Sequence, residues 1–263
     1  LEALRSGLSY PFIRLSQAAS GLDVAQAGRR LASGKTKDVY QLEDPSLVLI
    51  TFRDDITALD GRRRSLLVGK GEVNAEVTAR LMRVLEASGI ATHFVEYRPP
   101  RSIVARRLAM IPVEVVCRSV AAGHLVERLP FKEGEVLSPP VVEFYLKDDA
   151  RGDPMVNHRH LAALGLATLD EAKLMEEAAL KANEALKAFL AHRGLVLLDF
   201  KVEFGRAGDG SLLVGDELDP DCMRLRDART GRVLDKDLYR QGRPLEEVLE
   251  AYLECRRRIV EGG

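Results

Sequence analysis

The stretch L-V-L-L-D-F-K-V-E-F-G, Leu195 to Gly205, decides how the chain is read. Successive side chains of a strand point to opposite faces, so Leu198, Phe200, Val202 and Phe204 share one face while Asp199, Lys201 and Glu203 share the other. A half-buried strand accounts for that alternation. It does not account for a polar face on which two carboxylates bracket a lysine. A Gly-rich turn leads into a second apolar run, Ser211 to Leu218, whose G-D-E brings Asp216 to the same end of a hairpin as Glu203. Two close carboxylates repel unless a cation or a proton lies between them. Mg²⁺ takes oxygen ligands and shares them with substrate phosphates, which makes it the natural cation for this pair. A solvated charged face is the alternative reading of the same letters.

The neighbouring segments extend both readings. D-P-D-C-M-R-L-R-D, Asp219 to Asp227, adds Asp221 and Arg224 just past the carboxylates. An arginine there can clamp an anionic substrate through two parallel hydrogen bonds, or form a surface ion pair. E-V-V-C-R-S-V-A-A-G-H-L, Glu114 to Leu125, reads as a strand that opens into a helix, with Arg118 just before the helix start. That is an anion site in outline, and an ordinary strand-to-helix joint as well. L-A-S-G-K-T-K-D-V-Y, Leu31 to Tyr40, contains G-K-T but is no P-loop: the position that must hold the first glycine is Arg29. What remains is a glycine followed by Lys35 and Lys37 at alternating positions.

The 263 residues suffice for one large domain or two small ones, and 46% apolar with 30% charged letters marks an ordinary globular chain. A net charge of −1 gives no general attraction to nucleic acid or an anionic membrane. No apolar run approaches the ~18 residues of a membrane span. Cys117, Cys222 and Cys255 form no CxxC pair, so a reducing, cytoplasmic setting is expected. Residues 1–30 are rich in Ser, Ala, Gly and Arg and are expected to be a poorly ordered extension; an organelle transit peptide is the alternative.

Strands are expected at Lys37–Gln41, Leu47–Phe52, His93–Tyr97, Ile103–Arg107 and Val113–Arg118. A helix is expected over Glu72–Ser88, with Val73, Val77, Leu81, Val84 and Leu85 on its buried face. The clearest element is a helix from Thr168 to Arg193, opened by a Thr168–Glu171 capping box, with Leu174, Ala178, Ala182, Ala185 and Phe189 as its buried stripe. Pro244–Val260 reads as a final helix.

Eight segments occur in order: G-K-T-K-D-V-Y, D-D-I-T-A-x-D-G, G-K-G-x-x-N, E-V-V-x-R-x-x-A-A-G, K-D-D-x-x-x-D-P-M-V-N, D-F-K-x-E-F-G, G-D-E-x-x-P-D and D-K-D-x-Y-R-Q. Together they resemble the SAICAR synthetase (phosphoribosylaminoimidazole-succinocarboxamide synthase) family, over roughly Leu31 to Val260. The resemblance implies an α+β, two-lobed fold. An antiparallel, kinase-like N-lobe, residues 31–111, would cover ATP, and a larger mixed α/β C-lobe, residues 112–263, would carry substrate and metal. It implies an ATP-dependent amide ligase that joins carboxyaminoimidazole ribonucleotide (CAIR) to L-aspartate through an acyl phosphate, with Mg²⁺, without nucleic-acid or membrane partners, and often as a homodimer.

Residue by residue, the resemblance implies that Gly34, Lys35 and Lys37 lie over the ATP phosphates and that Met110 lies beside the adenine. Glu203 and Asp216 would associate with Mg²⁺, and Asp199 and Lys201 would line the same cleft. Arg118 and Arg224 would hold the ribonucleotide phosphate, with Asp221 in the adjoining loop. Lys147 and Asp153 would help receive L-aspartate, and Asp60 is expected at the cleft mouth. Three letters depart from the family pattern: His124 where serine is usual near the phosphate, Leu59 where glycine is common, and Asp219 where serine is common. His124 suggests a ribonucleotide affinity that varies between about pH 6 and 8, and Asp219 an extra anion near the metal or facing solvent. A kinase is the main rival, yet the H-R-D and D-F-G signatures are missing. A non-catalytic nucleotide-binding scaffold is disfavoured by the intact lysines and carboxylates.

Overall fold

In the computed structural model, residues 28–58 and 62–262 are described; most of the expected extension, together with Leu59 and Asp60, lies outside them. The short β-branched runs of the first half pair as β1 (Arg30–Ser33), β2 (Lys37–Gln41), β3 (Leu47–Phe52), β6 (Phe94–Arg98) and β7 (Ser102–Arg106), in the order β1-β2-β3-β7-β6. Every pairing is antiparallel. The E-D-P-S turn closes β2 onto β3, with the Asp44 carboxylate accepting the Ser46 N–H at 2.8 Å. A two-stranded ribbon, β4 (Asp55–Ala58) with β5 (Arg63–Leu66), stands apart from this sheet.

Helix α1 (Lys70–Ala87) packs against β3, β6 and β7, and starts two residues before the expected Glu72. Val73, Val77, Leu81 and Leu85 are buried as their spacing requires, and Lys70 and Asn74 are buried with them. Polar groups are enclosed only when partnered, and the partners of these two lie in the second half.

The second sheet comprises β8 (Ala109–Val120), β9 (Val136–Leu146), β10 (Met155–Val156), β11 (Leu195–Arg206), β12 (Leu212–Gly215) and β13 (Met223–Asp227), in the order β10-β9-β8-β11-β12, with β13 also on β11. Four helices accompany it: α2 (His124–Arg128), α3 (His158–Ala163), α4 (Leu169–Ala191) and α5 (Asp237–Arg240). The last helix, α6 (Leu245–Arg256), continues into a π turn over Arg257–Glu261. No helix among the described residues is long and apolar enough to cross a membrane. Pro112 falls inside β8; the chain passes from one sheet to the other between Arg106 and Ala109.

Two expectations change here. Strand β11 is not half-buried: Asp199 and Glu203 are each only 3% exposed. It is a central strand, with α4 packed against β8 and β11, and its polar face is covered by Arg118 of β8, Arg224 of β13 and Lys147 from just past β9. The capping box of α4 forms as expected, Thr168 Oγ1 accepting from Glu171 N–H at 3.1 Å and Glu171 accepting from Thr168 N–H at 2.8 Å. Its buried face, however, is Ala172, Met175, Ala179, Ala182, Leu186 and Leu190, while Leu174 is 53% exposed. Only Ala182 is common to the two; Leu174, Ala178, Ala185 and Phe189 each sit one residue before a buried position, so the buried face is rotated from the expected one. It includes Asn183, whose Oδ1 accepts from Ser119 Oγ at 2.9 Å.

One apolar core runs through both sheets. They are stitched together at a parallel bridge between Thr92 and Val214. That joint places the ends of β2, β11 and β12 around one cleft.

Candidate active site

Strand β2 begins at Lys37, and the turn before it is closed by Gly34 N–H donating to the Lys37 carbonyl at 2.8 Å. Lys37 reaches across to the second sheet, where its Nζ lies 2.7 Å from Asp216 and 2.9 Å from Glu217. Lys35 does not join it. It belongs to the turn rather than the strand, so the alternation argument fails for it, and its ammonium meets Asp149 at 3.2 Å on the surface.

The hairpin of β11 and β12 sets Glu203 opposite Gly215, so Glu203 and Asp216 fall at one end of it, as expected. Lys201 Nζ lies between them, 2.9 Å from Glu203 and 3.4 Å from Asp216, and Lys147 Nζ adds a contact to Glu203 at 2.7 Å. Burial alone would raise the Asp216 carboxyl; Lys37 and Lys201 outweigh it and hold the group far below the usual carboxylate range. Burial likewise opposes the charge on Lys37, and Asp216 and Glu217 reverse that, so its pKa rises above the ordinary lysine value.

Two residues before Lys201, about 7 Å along the same face of β11, Asp199 organises a second cluster. Its register partners are Arg118 on β8 and Arg224 on β13. Both guanidiniums donate to the same Asp199 Oδ2 at 2.7 Å. Arg118 also donates to Glu143 at 2.7 Å, and Arg224 to Asp237 at 3.0 Å. Gly123 permits this arrangement: it holds φ 56°, and a Cβ there would lie 2.8 Å from Arg224 Cζ. Met110 on β8 lies over two more glycines, since a Cβ on Gly205 would stand 3.0 Å from its sulfur and one on Gly215 3.2 Å.

Several expected site residues are placed elsewhere. The Asp221 side chain is interior, with Lys70 Nζ at 2.6 Å, Tyr252 OH at 2.7 Å and Asn74 Nδ2 at 3.1 Å, so it braces α1 against α6 and offers substrate nothing. Asp153 shapes its own loop, accepting the Asp148 N–H at 2.7 Å with φ 47°. His124 is exposed and opens an α2 of only five residues, a single turn with little dipole to offer an anion. Asp219 does not face solvent: it is fully buried, and burial, with Glu217 and Asp221 nearby, holds its carboxyl well above the usual range. Asp60 lies outside the described residues.

Glu143, Asp237, Lys70 and Asn74 escaped sequence reasoning. Asp237 and Lys70 stand inside quoted motifs, D-K-D-x-Y-R-Q and G-K-G-x-x-N, and were legible as charged letters without an assigned partner.

The donor chemistry of Glu203 and Asp216 suits Mg²⁺. Both offer hard carboxylate oxygens, and a cationic group, the Lys201 ammonium, already stands between them. A neighbouring trio, Glu217, Asp219 and Cys222, also has donor atoms within 4.8 Å of one another. It faces Lys37 and Lys70, which already supply positive charge there.

A protein-family model described as SAICAR synthetase matches residues 30–259. The phosphoribosylaminoimidazole-succinocarboxamide synthase of Sulfurisphaera tokodaii is 52% identical over 88% of this chain and 98% of its own length. That of Methanopyrus kandleri is 48% identical over 90% and 96%. Among solved structures, a SAICAR synthetase in complex with ADP superposes with a TM-score of 0.83 at 42% identity, covering 88% of this chain and 97% of that one. The phosphoribosylaminoimidazole-succinocarboxamide synthase of Ehrlichia chaffeensis superposes with a TM-score of 0.84 at 33% identity, covering 88% and 98%.

Proposed function

The chain belongs to the SAICAR synthetase family, and on that premise we propose how its cleft performs the family's ATP-dependent ligation in purine biosynthesis. The reaction joins CAIR to L-aspartate and gives SAICAR, ADP and phosphate. One observation carries the assignment of residues. Lys37 from the small sheet and Lys201 from the large one converge on Asp216, at 2.7 and 3.4 Å. Ammonium groups from opposite walls thus meet at a single point of the cleft.

A carboxylate is a poor acylating agent because its leaving group would be oxide. Transfer of the γ-phosphoryl group to the CAIR carboxylate forms a C–O–P bond, breaks the bond to the β-phosphate and releases ADP. The aspartate amine then attacks the acyl carbon, phosphate leaves, and the amine gives up a proton. Lys37 and Lys201 exchange carboxylate partners for phosphate oxygens and stabilise charge as the phosphoryl group moves. Glu203 and Asp216 would hold Mg²⁺, which neutralises phosphoryl charge when bound. Lys35, at the exposed turn, leaves Asp149 for the terminal phosphates.

Arg118 and Arg224 hold the ribonucleotide phosphate in a fork fixed by Asp199, Glu143 and Asp237. Met110, seated on Gly205 and Gly215, borders the adenine. Lys147 shares Glu203 with Lys201, which puts an ammonium on the wall where a carboxylate of L-aspartate would dock.

The test is co-substrate dependence. ADP and phosphate should be released at full rate only with ATP, CAIR and L-aspartate together. Steady turnover without L-aspartate, with a phosphorylated product accumulating, would mean a kinase and overturn the ligase reading.

A further inference from the structure

The segment between α1 and β6 ties the two sheets together. The His93 N–H donates to the Val214 carbonyl at 2.8 Å, and the Val214 N–H donates to Ala91 at 3.0 Å. The His93 carbonyl accepts from Arg106 N–H, at the end of β7, at 2.7 Å. One residue is therefore bonded to a strand of each sheet. Its ring adds a third link: Nε2 lies 3.0 Å from the backbone carbonyl oxygen of Asp216. The imidazole is buried, and a carbonyl oxygen can only accept, so the ring nitrogen facing it is the donor.

Asp216 needs such a link. It holds φ 63°, one of two non-glycine residues in the left-handed region among those described. That region costs a residue with a Cβ free energy, less for aspartate than for most, so a bond to its carbonyl helps to hold it there. The four residues of β12 lead into it, and beyond it the chain turns at once into Glu217, which shares Lys37 with it. A relaxed backbone at Asp216 would swing its carboxylate away from Lys37 and Lys201 together.

We propose that His93 is a positioning residue: its Nε2–H donates to the Asp216 carbonyl and fixes that left-handed turn, so that the Asp216 carboxylate faces both lysines. His93 touches neither substrate nor reacting atoms; it acts through Asp216. The consequence for nucleotide binding rests on the cleft assignment above, whereas the hydrogen bond itself does not.

The experiment has two arms. In protein with ¹⁵N-labelled histidine, long-range ¹H–¹⁵N spectra should show His93 as the Nε2–H tautomer with Nδ1 bare; the Nδ1–H tautomer overturns the proposal. In the second arm, ADP affinity is measured by calorimetry with and without Mg²⁺ for wild type, His93→Gln and His93→Leu. Gln offers an N–H at a reach similar to Nε2, and Leu fills the space without a donor. His93→Leu should weaken ADP binding in Mg²⁺ by roughly 10- to 100-fold, with His93→Gln within about 3-fold of wild type. CAIR affinity should be unchanged in both variants. Equal losses in Gln and Leu, no loss in Leu, or parallel loss of CAIR binding each overturn it. Should His93→Leu fail to fold, the tautomer and the His93→Gln affinity decide: an Nδ1–H ring or a Gln variant more than about 10-fold weakened sinks the idea. If wild type itself binds no ADP, the cleft assignment fails, and the tautomer still judges His93.

Discussion

The two ends of the cleft are built from different cations. At one end Lys37, Lys147 and Lys201 share Glu203, Asp216 and Glu217. At the other, Arg118 and Arg224 interlock with Asp199, Glu143 and Asp237. An ammonium is a point charge on a flexible stem, able to trade a carboxylate for a phosphate. A guanidinium is a rigid fork, useful once its plane is set. The lysine end is therefore suited to charge that moves during reaction, and the arginine end to a phosphate that stays put.

The sharpest way to break this contrast is at Lys37. Lys37→Ala should lower kcat by about 10²–10³-fold, the scale of losing one preorganised charge stabiliser, with little change in the KM for CAIR. A variant with near-normal kcat would remove Lys37 from the transition state. At the arginine end the effect should appear in binding. Arg224→Lys keeps the charge and loses the fork, so the KM for CAIR should rise roughly 10-fold while kcat holds. Gly123→Ala should reproduce that rise with Arg224 left unsubstituted, because its Cβ meets the guanidinium; an unchanged KM would show that the fork is not held there.

Lys35→Ala sharpens the comparison within the lysines. Its wild-type partner Asp149 is exposed, so releasing it costs little, about 0–1 kcal/mol. Stability should be unaffected, and the KM for ATP should rise by several-fold to about 10-fold. The smallest effect is expected outside both charged clusters, at the Glu171–Arg206 pair. The Arg206 guanidinium beside Glu171 lowers its carboxyl from 4.5 to about 2. Its folded pKa lies below the unfolded one, so the stabilisation is complete above about pH 4.5 and is lost as pH falls through about 2. Glu171→Gln keeps the helix cap and removes the charge. It should lower stability by about 0.5–1 kcal/mol at pH 7, a gap that closes by pH 2 in denaturant titrations.

The same contrast explains what could be read from the letters. Strands, long helices and the Thr168 cap follow from periodicity and local chemistry, which act within a few residues. Glu203 and Asp216 were legible as a pair because a hairpin joins them. Asp199, Arg118 and Arg224 were not legible as a triad, since their meeting depends on the registers of three strands. Asp221 misled for the opposite reason. A charged letter in a loop beside the site looks available, and only the packing of α1 and α6 shows that it is enclosed. The stripe of α4 was misplaced by one residue over most of its length because alanines and leucines occur on more than one face, and periodicity alone does not say which face meets the sheet.

The brace at Asp221 carries a consequence for how the enzyme is made. Tyr252 follows Asp221 by 31 residues, so at roughly 5–20 residues per second the ribosome adds it a few seconds later. Lys70 and Asn74 have by then long been synthesised, and they wait as one half of a clasp whose other half is still emerging. The acidic loop next to the cleft can be sealed only after the final helix arrives. The loop that carries Asp221 is thus enclosed later than the strands of the first sheet, all of which precede it in the chain.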